Sequence, residues 1–258
     1  MIETLLAHSS DANIVLAMFT CFALAGMAVS AVSFRLFGRR LAVDYTDLVD
    51  SVEKSIFAFI VFLLALTLAD VRSNFGKAGD SVIAEAFAIR QFSADLELEP
   101  GPRATLEQAV LIAYAQAVID DEWLTLGAPV PALSPVAGAR LDELRALIRA
   151  DAAAIGRTLQ IDRVWLAVGQ LENNRQLRLQ QATASAPAAF WVVSLLLIAI
   201  GAVMTGRAPL DWRRAVVLSG YFGALGVIVA LILILDRPFR GDTRVSAEPI
   251  RAVITRLR

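Results

Sequence analysis

Four apolar stretches dominate the chain, and each is long enough, or nearly so, to cross a membrane. A spanning helix needs about 20 mostly apolar residues to cover about 30 Å of hydrocarbon. Residues 12–34 carry no charge and lie between Asp11 and the bases Arg35, Arg39 and Arg40. No basic segment precedes this run, and it is too long for a secretory leader, so it is expected to stay as a span. Residues 56–69 are shorter, carry Phe57, Phe59 and Phe62, and run into Asp70 and Arg72. A third run covers 187–204, with Pro187 suited to a first helical turn and Trp191 to interface depth. The fourth, 215–235, follows Trp212 and carries Ser219, Gly220, Gly223 and Gly226. Such small residues let helix backbones approach closely in lipid, so this span is expected to pack on another helix. The expected spans are thus about 12–34, 54–71, 187–205 and 214–235.

Composition narrows the chemistry. Of 258 residues, 57% are hydrophobic and 19% charged. A soluble domain has about 45–50% apolar and about 25% charged residues, so the excess is concentrated in the four stretches. A net charge of −1 offers no basic excess for nucleic acid. His8 and Cys21 are the only residues of their types. That excludes an intramolecular disulfide and argues against Cys/His metal centres and Ser-His-Asp catalysis. His8 reads as a solvated N-terminal residue and Cys21 as a buried apolar one. No enzymatic activity, cofactor or metal ion is expected.

The last span ends abruptly in "LILILDRPFRG", residues 231–241. In hydrocarbon the backbone must stay helical, because no water is present to satisfy it. Asp236 therefore marks arrival in polar surroundings, and Pro238 disfavours helix at Arg237. Phe239 is expected to fold back to the interface, before Arg240 and Gly241. Between the second and third spans, helical periodicity predicts helices over 81–92, 104–127 and 139–184, with a Pro-rich turn region over 128–139. No strand-like alternation appears. The expected fold class is all-α: a first pair of spans over 1–72, a helical extramembrane region over 73–186, a second pair over 187–236, and a polar C-terminal tail over 237–258.

Two sets of residues could carry function. Phe59, Leu63, Leu66 and Asp70 fall within about 60° on the second span at about 100° per residue. Apolar rings can gate a pore by dewetting, so this stripe is a candidate pore lining; packing or lipid contact is the alternative. Glu85 lies in the apolar turn "AEAFAI", Glu122 and Trp123 end a helix, and Arg175 and Arg178 share a helical face. Charges withdrawn from water need partners, so these are expected to form a buried ion-pair network. An ion- or ligand-binding site is the alternative, and acid–base catalysis a more remote one. Glu107 serves as an exposed comparison.

Taken in order, "AEAFAI", "AVIDDEWLTLGAP", "LENNRQLRLQQATASAPAAFW" and "LILILDRPFRGDTRVSAEPI" resemble the bacterial bestrophin-like domain membrane proteins. Family motifs of the form E-A, E-W, R-x-x-R-L and L-D-x-P-F-x-G fall on Glu85–Ala86, Glu122–Trp123, Arg175 to Leu179 and Leu235 to Gly241. The resemblance implies a four-span, oligomeric relative of the bestrophin anion channels, with a helical cytosolic region between spans two and three and the second span at the pore neck. It departs from bestrophins in lacking an acidic cluster like their calcium clasp near the fourth span, so calcium gating is not implied. The expectation is a homo-oligomeric channel or channel-like protein for small inorganic ions in the bacterial inner membrane. A non-conducting scaffold or sensor, whose bundle binds a partner, is the alternative. Basic residues flank both ends of the spans almost equally, so only the resemblance places the middle region in the cytosol.

Overall fold

The computed structural model describes residues 10–41, 46–98, 103–155 and 159–258; His8 lies outside them. Every regular element among the described residues is helical. In chain order they are α1 (Asp11–Leu41), α2 (Thr46–Leu98), α3 (Ala104–Ala117), a π-helical turn (Val118–Glu122), α4 (Trp123–Leu126), α5 (Pro135–Ile155), α6 (Leu159–Thr183), α7 (Ala188–Met204), α8 (Trp212–Leu235) and α9 (Glu248–Leu257). A short 3-10 turn, Thr205–Arg207, follows α7. Four helical segments are long and apolar enough to cross a membrane: Asp11–Leu36, Asp50–Leu98, Ile161–Arg207 (which contains α7) and Trp212–Leu235.

Three helices differ from expectation. The second span and the helix over 81–92 are one uninterrupted helix of 53 residues. The physical reason lies in what is absent, since no proline interrupts 46–98. The helix expected over 139–184 is instead two, α5 and α6, which pair through Arg145–Glu172 at 3.4 Å and through Arg149 over the Trp165 ring. The segment 237–258, expected as a polar tail, carries α9, whose Ile250 and Ile254 are buried in a hydrophobic core.

The chain divides into two compact units, one comprising Met1–Ser73 with Ser185–Asp236, the other Asn74–Ala184 with Arg237–Arg258. In the first unit Ile60, Leu64, Ile198, Phe222, Leu225 and Ile232 form the centre of the apolar core. Phe57 packs on the Tyr221 ring at 4.6 Å and lies against Gly201. Polar contacts close the loop end: Ser33 donates to the Val203 carbonyl at 2.8 Å, and Arg207 pairs with Asp50 at 2.6 Å and with Glu53. Asp211 caps α8 by accepting from the Arg214 N–H at 2.9 Å. Cys21, read as buried, is exposed on the outer face of α1. In the second unit, α2 contributes Ala78, Val82, Ile89, Phe92 and Leu96 to a core shared with Leu111, Leu144, Val168 and Leu171.

The glycine stripe of α8 is used selectively. A Cβ on Gly226 would overlap the Met18 carbonyl oxygen of α1, and one on Gly223 would overlap the Phe19 ring. Gly220 has nothing within 4 Å, and Ser219 bonds within its own helix. A side chain can rotate away, but a backbone carbonyl can only move with its helix. Gly226→Ala is therefore expected to cost roughly 1–3 kcal/mol through overpacking. Gly220→Ala should be neutral or slightly stabilising, because alanine is the better helix former. Thermal unfolding in detergent checks this; equal effects at both positions would contradict the close approach of α1 and α8.

Candidate functional site

The stripe on α2 is left uncovered by the other described residues. Phe59 is 52% and Leu66 59% exposed, Leu63 is half-buried and Asp70 exposed. On the same helix, Ile60, Leu64 and Val71 are buried against the other helices of the first unit. The helix thus turns one apolar side inward and leaves a second apolar side, ending in a carboxylate, uncovered among the described residues.

The second unit holds the charged network, and there the structure brings all four expected charges together. Glu122 accepts from Arg175 Nε at 2.6 Å through Oε2 and from Arg178 Nη2 at 2.6 Å through Oε1. Arg178 also pairs through Nη1 with Glu85, which accepts a hydrogen bond from the Tyr114 hydroxyl at 2.5 Å. Glu85, Glu122 and Arg178 are fully buried and Arg175 nearly so. The Arg178 guanidinium lies 5.5 Å from the centre of the Trp123 ring, and Trp123 Nε1 donates to the Val245 carbonyl at 3.0 Å. Each local fold has a reason. The π-turn at Val118–Glu122 ends on Glu122, which is buried together with its neighbour Trp123; such turns recur at functional positions. Arg175 and Arg178 are three residues apart on α6 and reach the same carboxylate.

Sequence reasoning did not find Tyr114, Asp121 or Ser134. Ser134 donates its N–H to Glu122 Oε2 at 3.3 Å, its carbonyl accepts from Arg175, and its hydroxyl bonds Asp121. That hydroxyl also accepts from the Ala137 N–H at 3.1 Å, so Ser134 caps α5 with Pro135 in the first turn. The Ser-Pro pair ahead of a periodic stretch was the readable signal. Tyr114 had none, because its periodicity is that of an ordinary core residue.

Burial pushes the Glu122 carboxyl above its ordinary range, against the pull of the Arg175 guanidinium. Burial and the Glu122 charge likewise push the Tyr114 phenol up. Two carboxylates meet two guanidiniums, so the network is balanced only while all four are present. The membrane-exit motif divides its work. Asp236 accepts from the Ala186 N–H at 3.0 Å, just ahead of α7. Pro238 and Phe239 are buried, Phe239 edge-on to Trp123 at 5.6 Å, so Phe239 supports the network residue and does not turn to the interface. The Pro238 carbonyl accepts from the Val245 N–H at 2.7 Å, and Gly241 has φ 80°, a conformation that favours glycine. Among the described residues, no group of three or more His, Cys, Asp or Glu side chains could hold a metal ion.

Removing one member of such a network strands a buried charge, at a cost of roughly 3–5 kcal/mol. Glu122→Gln is expected to lower stability in detergent by that order. Glu143→Gln is the comparison, since its pair with Arg140 is exposed and such pairs contribute roughly 0–1 kcal/mol. Glu107, expected to be exposed, is buried and unsuited to that purpose. Similar small losses for both variants would show that Glu122 is solvated.

Comparison with known proteins follows the same lines. The structure is similar to that of a bacterial bestrophin homologue from Klebsiella pneumoniae, with a TM-score of 0.71 at 13% identity over 94% of this chain and 97% of that one. Two single-substitution variants of that homologue, also 13% identical, give 0.72 over 97% of both chains and 0.70 over 94% and 97%. No curated protein sequence matches. A family model described as the bestrophin-like domain matches residues 20–250. With its all-helical membrane fold and a match that spans nearly its whole length, the chain belongs to the bestrophin-like domain family.

Proposed function

We propose that identical copies of this chain assemble in the bacterial inner membrane as a ring that conducts small ions, with α2 innermost. The observation that carries this reading is the uncovered stripe of Phe59, Leu63, Leu66 and Asp70, which lies roughly 110° around the helix from the buried Ile60, Leu64 and Val71. Repeated around an axis, Phe59, Leu63 and Leu66 make stacked apolar rings about one helical turn apart, which shed a continuous water column when narrow. Asp70 lies at the mouth, where a ring of carboxylates favours cations. Bestrophins are anion channels, so the family likeness and this charge pull in opposite directions, and ion sign is decided at this ring. The polar network acts as the frame of the helical unit, which faces the cytosol.

Flux through liposomes tests the reading. Phe59→Ala and Leu63→Ala should raise ion flux by easing dewetting, while Asp70→Asn should shift ion preference and leave assembly intact. A purified oligomer that passes no current, as wild type or with either alanine, would sink the channel reading and favour a non-conducting scaffold whose bundle binds a partner. Topology has its own test. In a background lacking Cys21, cysteines placed at Val130 and Ser246, both exposed, should resist impermeant thiol reagents in intact cells and react after lysis. Labelling of both from outside would invert the orientation; labelling of one alone would refute four spans.

A further inference from the structure

One face of the helical unit carries a cleft that the charged network does not use. It has a volume of about 580 Å³ and is lined chiefly by Asp80, Ile83, Phe87 and Gln91 of α2 and by Gln170, Asn173 and Asn174 of α6. That size falls within the range of small-molecule sites.

Asn174 is the residue that needs a reason. It stands three residues after Leu171 and four before Arg178, on the face of α6 that turns into the core, and is 8% exposed. Its side-chain amide makes no hydrogen bond among the described residues, and what it leaves open lies in the cleft. A withdrawn polar group without a partner costs free energy, and such groups are rare in folded proteins. Leucine serves one turn earlier, at 171, so packing alone does not call for an amide here. The carboxamides of Gln91, Gln170 and Asn173 are exposed and likewise make no hydrogen bond among the described residues. Water satisfies exposed amides, so these three add capacity to the cleft, whereas Asn174 adds a demand.

The lining indicates what would meet that demand. A carboxamide presents a donor beside an acceptor, which matches the edge of a heterocycle with an amino or amide group next to a ring nitrogen. Phe87 is 55% exposed, so a flat apolar face is available for a planar ring to stack on. Arg90 does not line the cleft; its guanidinium lies 5.2 Å from the centre of the Phe87 ring. Among the described residues the lining therefore holds no base and a single charge, Asp80. That carboxylate accepts from hydroxyl or N–H donors and repels anions.

We propose that this cleft binds a nucleobase or its nucleoside, with the ring stacked on Phe87, its polar edge paired with Asn174 and its sugar hydroxyls directed to Asp80. A phosphate or carboxylate is disfavoured, because no guanidinium or ammonium lines the cleft to receive it. A sugar alone would leave the donor–acceptor edge of Asn174 without its planar match. Binding is non-covalent and stands apart from conduction, so neither reading rests on the other.

Calorimetric titration of the full chain in detergent tests the assignment, with adenosine, guanosine, cytidine and uridine as probes. At least one nucleoside should bind saturably, and its 5′-monophosphate about tenfold more weakly or worse, because Asp80 opposes the added charge. Asn174→Leu should lower nucleoside affinity about tenfold or more. Its unfolding temperature should match or exceed that of wild type, since the unpartnered amide is gone; a merely structural asparagine would lose stability and keep its ligand. Phe87→Ala, at an exposed position, should fold as wild type and bind about tenfold more weakly for want of stacking. Asp80→Asn should narrow the gap between nucleoside and monophosphate. Should the leucine variant fail to fold, Phe87→Ala and Asp80→Asn carry the test. The proposal is overturned if none of the four nucleosides binds, if the Asn174 and Phe87 variants bind like wild type, or if glucose or ribose binds where the nucleosides do not. A Phe87→Ala protein that changes oligomer size and binds nucleoside as before would make the cleft a contact between copies, and would overturn it too.

Discussion

Glu122 sits between two guanidiniums where no water reaches it, and the helical unit is arranged around that fact. Arg175 and Arg178 bring α6 to the carboxylate, Ser134 brings the start of α5, and Glu85 ties in α2 through Arg178. A core of leucine and valine would be as stable or more so, since withdrawing four charges from water costs much of what their pairing returns. What the charges add is register. An aliphatic contact survives a shift of one residue, whereas a guanidinium with fixed donor directions does not. Trp123 lies under the Arg178 guanidinium and Phe239 meets Trp123 edge to face, so the apolar cover of the polar centre depends on the turn after α8.

The span unit is held by another means. Association of helices in lipid gains little from hydrophobicity, so close fit must do the work. Gly226 against the Met18 carbonyl and Gly26 against the Phe222 ring let backbones approach where any larger residue would separate them. Polar groups appear at the loop end, where Arg207 meets Asp50 and Glu53, and at the opposite end, where Asp236 receives the Ala186 N–H. Charge thus marks both limits of the apolar layer and is absent from its middle.

How far this was legible depended on whether a feature is local. The spans are runs, and runs can be counted; the charged network announced itself because Glu85, Glu122, Arg175 and Arg178 stand in apolar surroundings that could not tolerate them unpaired. What escaped notice depends on neighbours distant in sequence. Glu107 looked exposed because its own turn is polar enough, yet it is buried in the folded unit. Cys21 looked buried because its helix is apolar, yet the side it faces is the uncovered one. Phe239 follows a membrane exit and so resembled an interface anchor until Trp123 supplied a site for it. The continuity of α2 was hidden differently: polar residues around Asp70–Asp80 suggested a boundary, but without proline a change of solvent does not end a helix.

Low identity with the Klebsiella homologue alongside a closely similar fold indicates which constraints persist. Span lengths and close approaches can be met by many apolar sequences, so they preserve architecture without preserving residues. Function is less forgiving, because it resides in the few side chains at a site and not in the fold. On the proposed reading, the decisive surface is one that no single chain completes. Phe59 and Leu66 are exposed in the protomer, and only copies arranged around an axis would make rings of them. The same step would multiply Asp70. A lone exposed carboxylate is a weak local charge, whereas a ring of them in a narrow mouth concentrates field lines and attracts cations strongly. Assembly, on this view, turns a stripe that would otherwise face lipid into a gate, and its last residue into a filter whose sign need not follow that of the family.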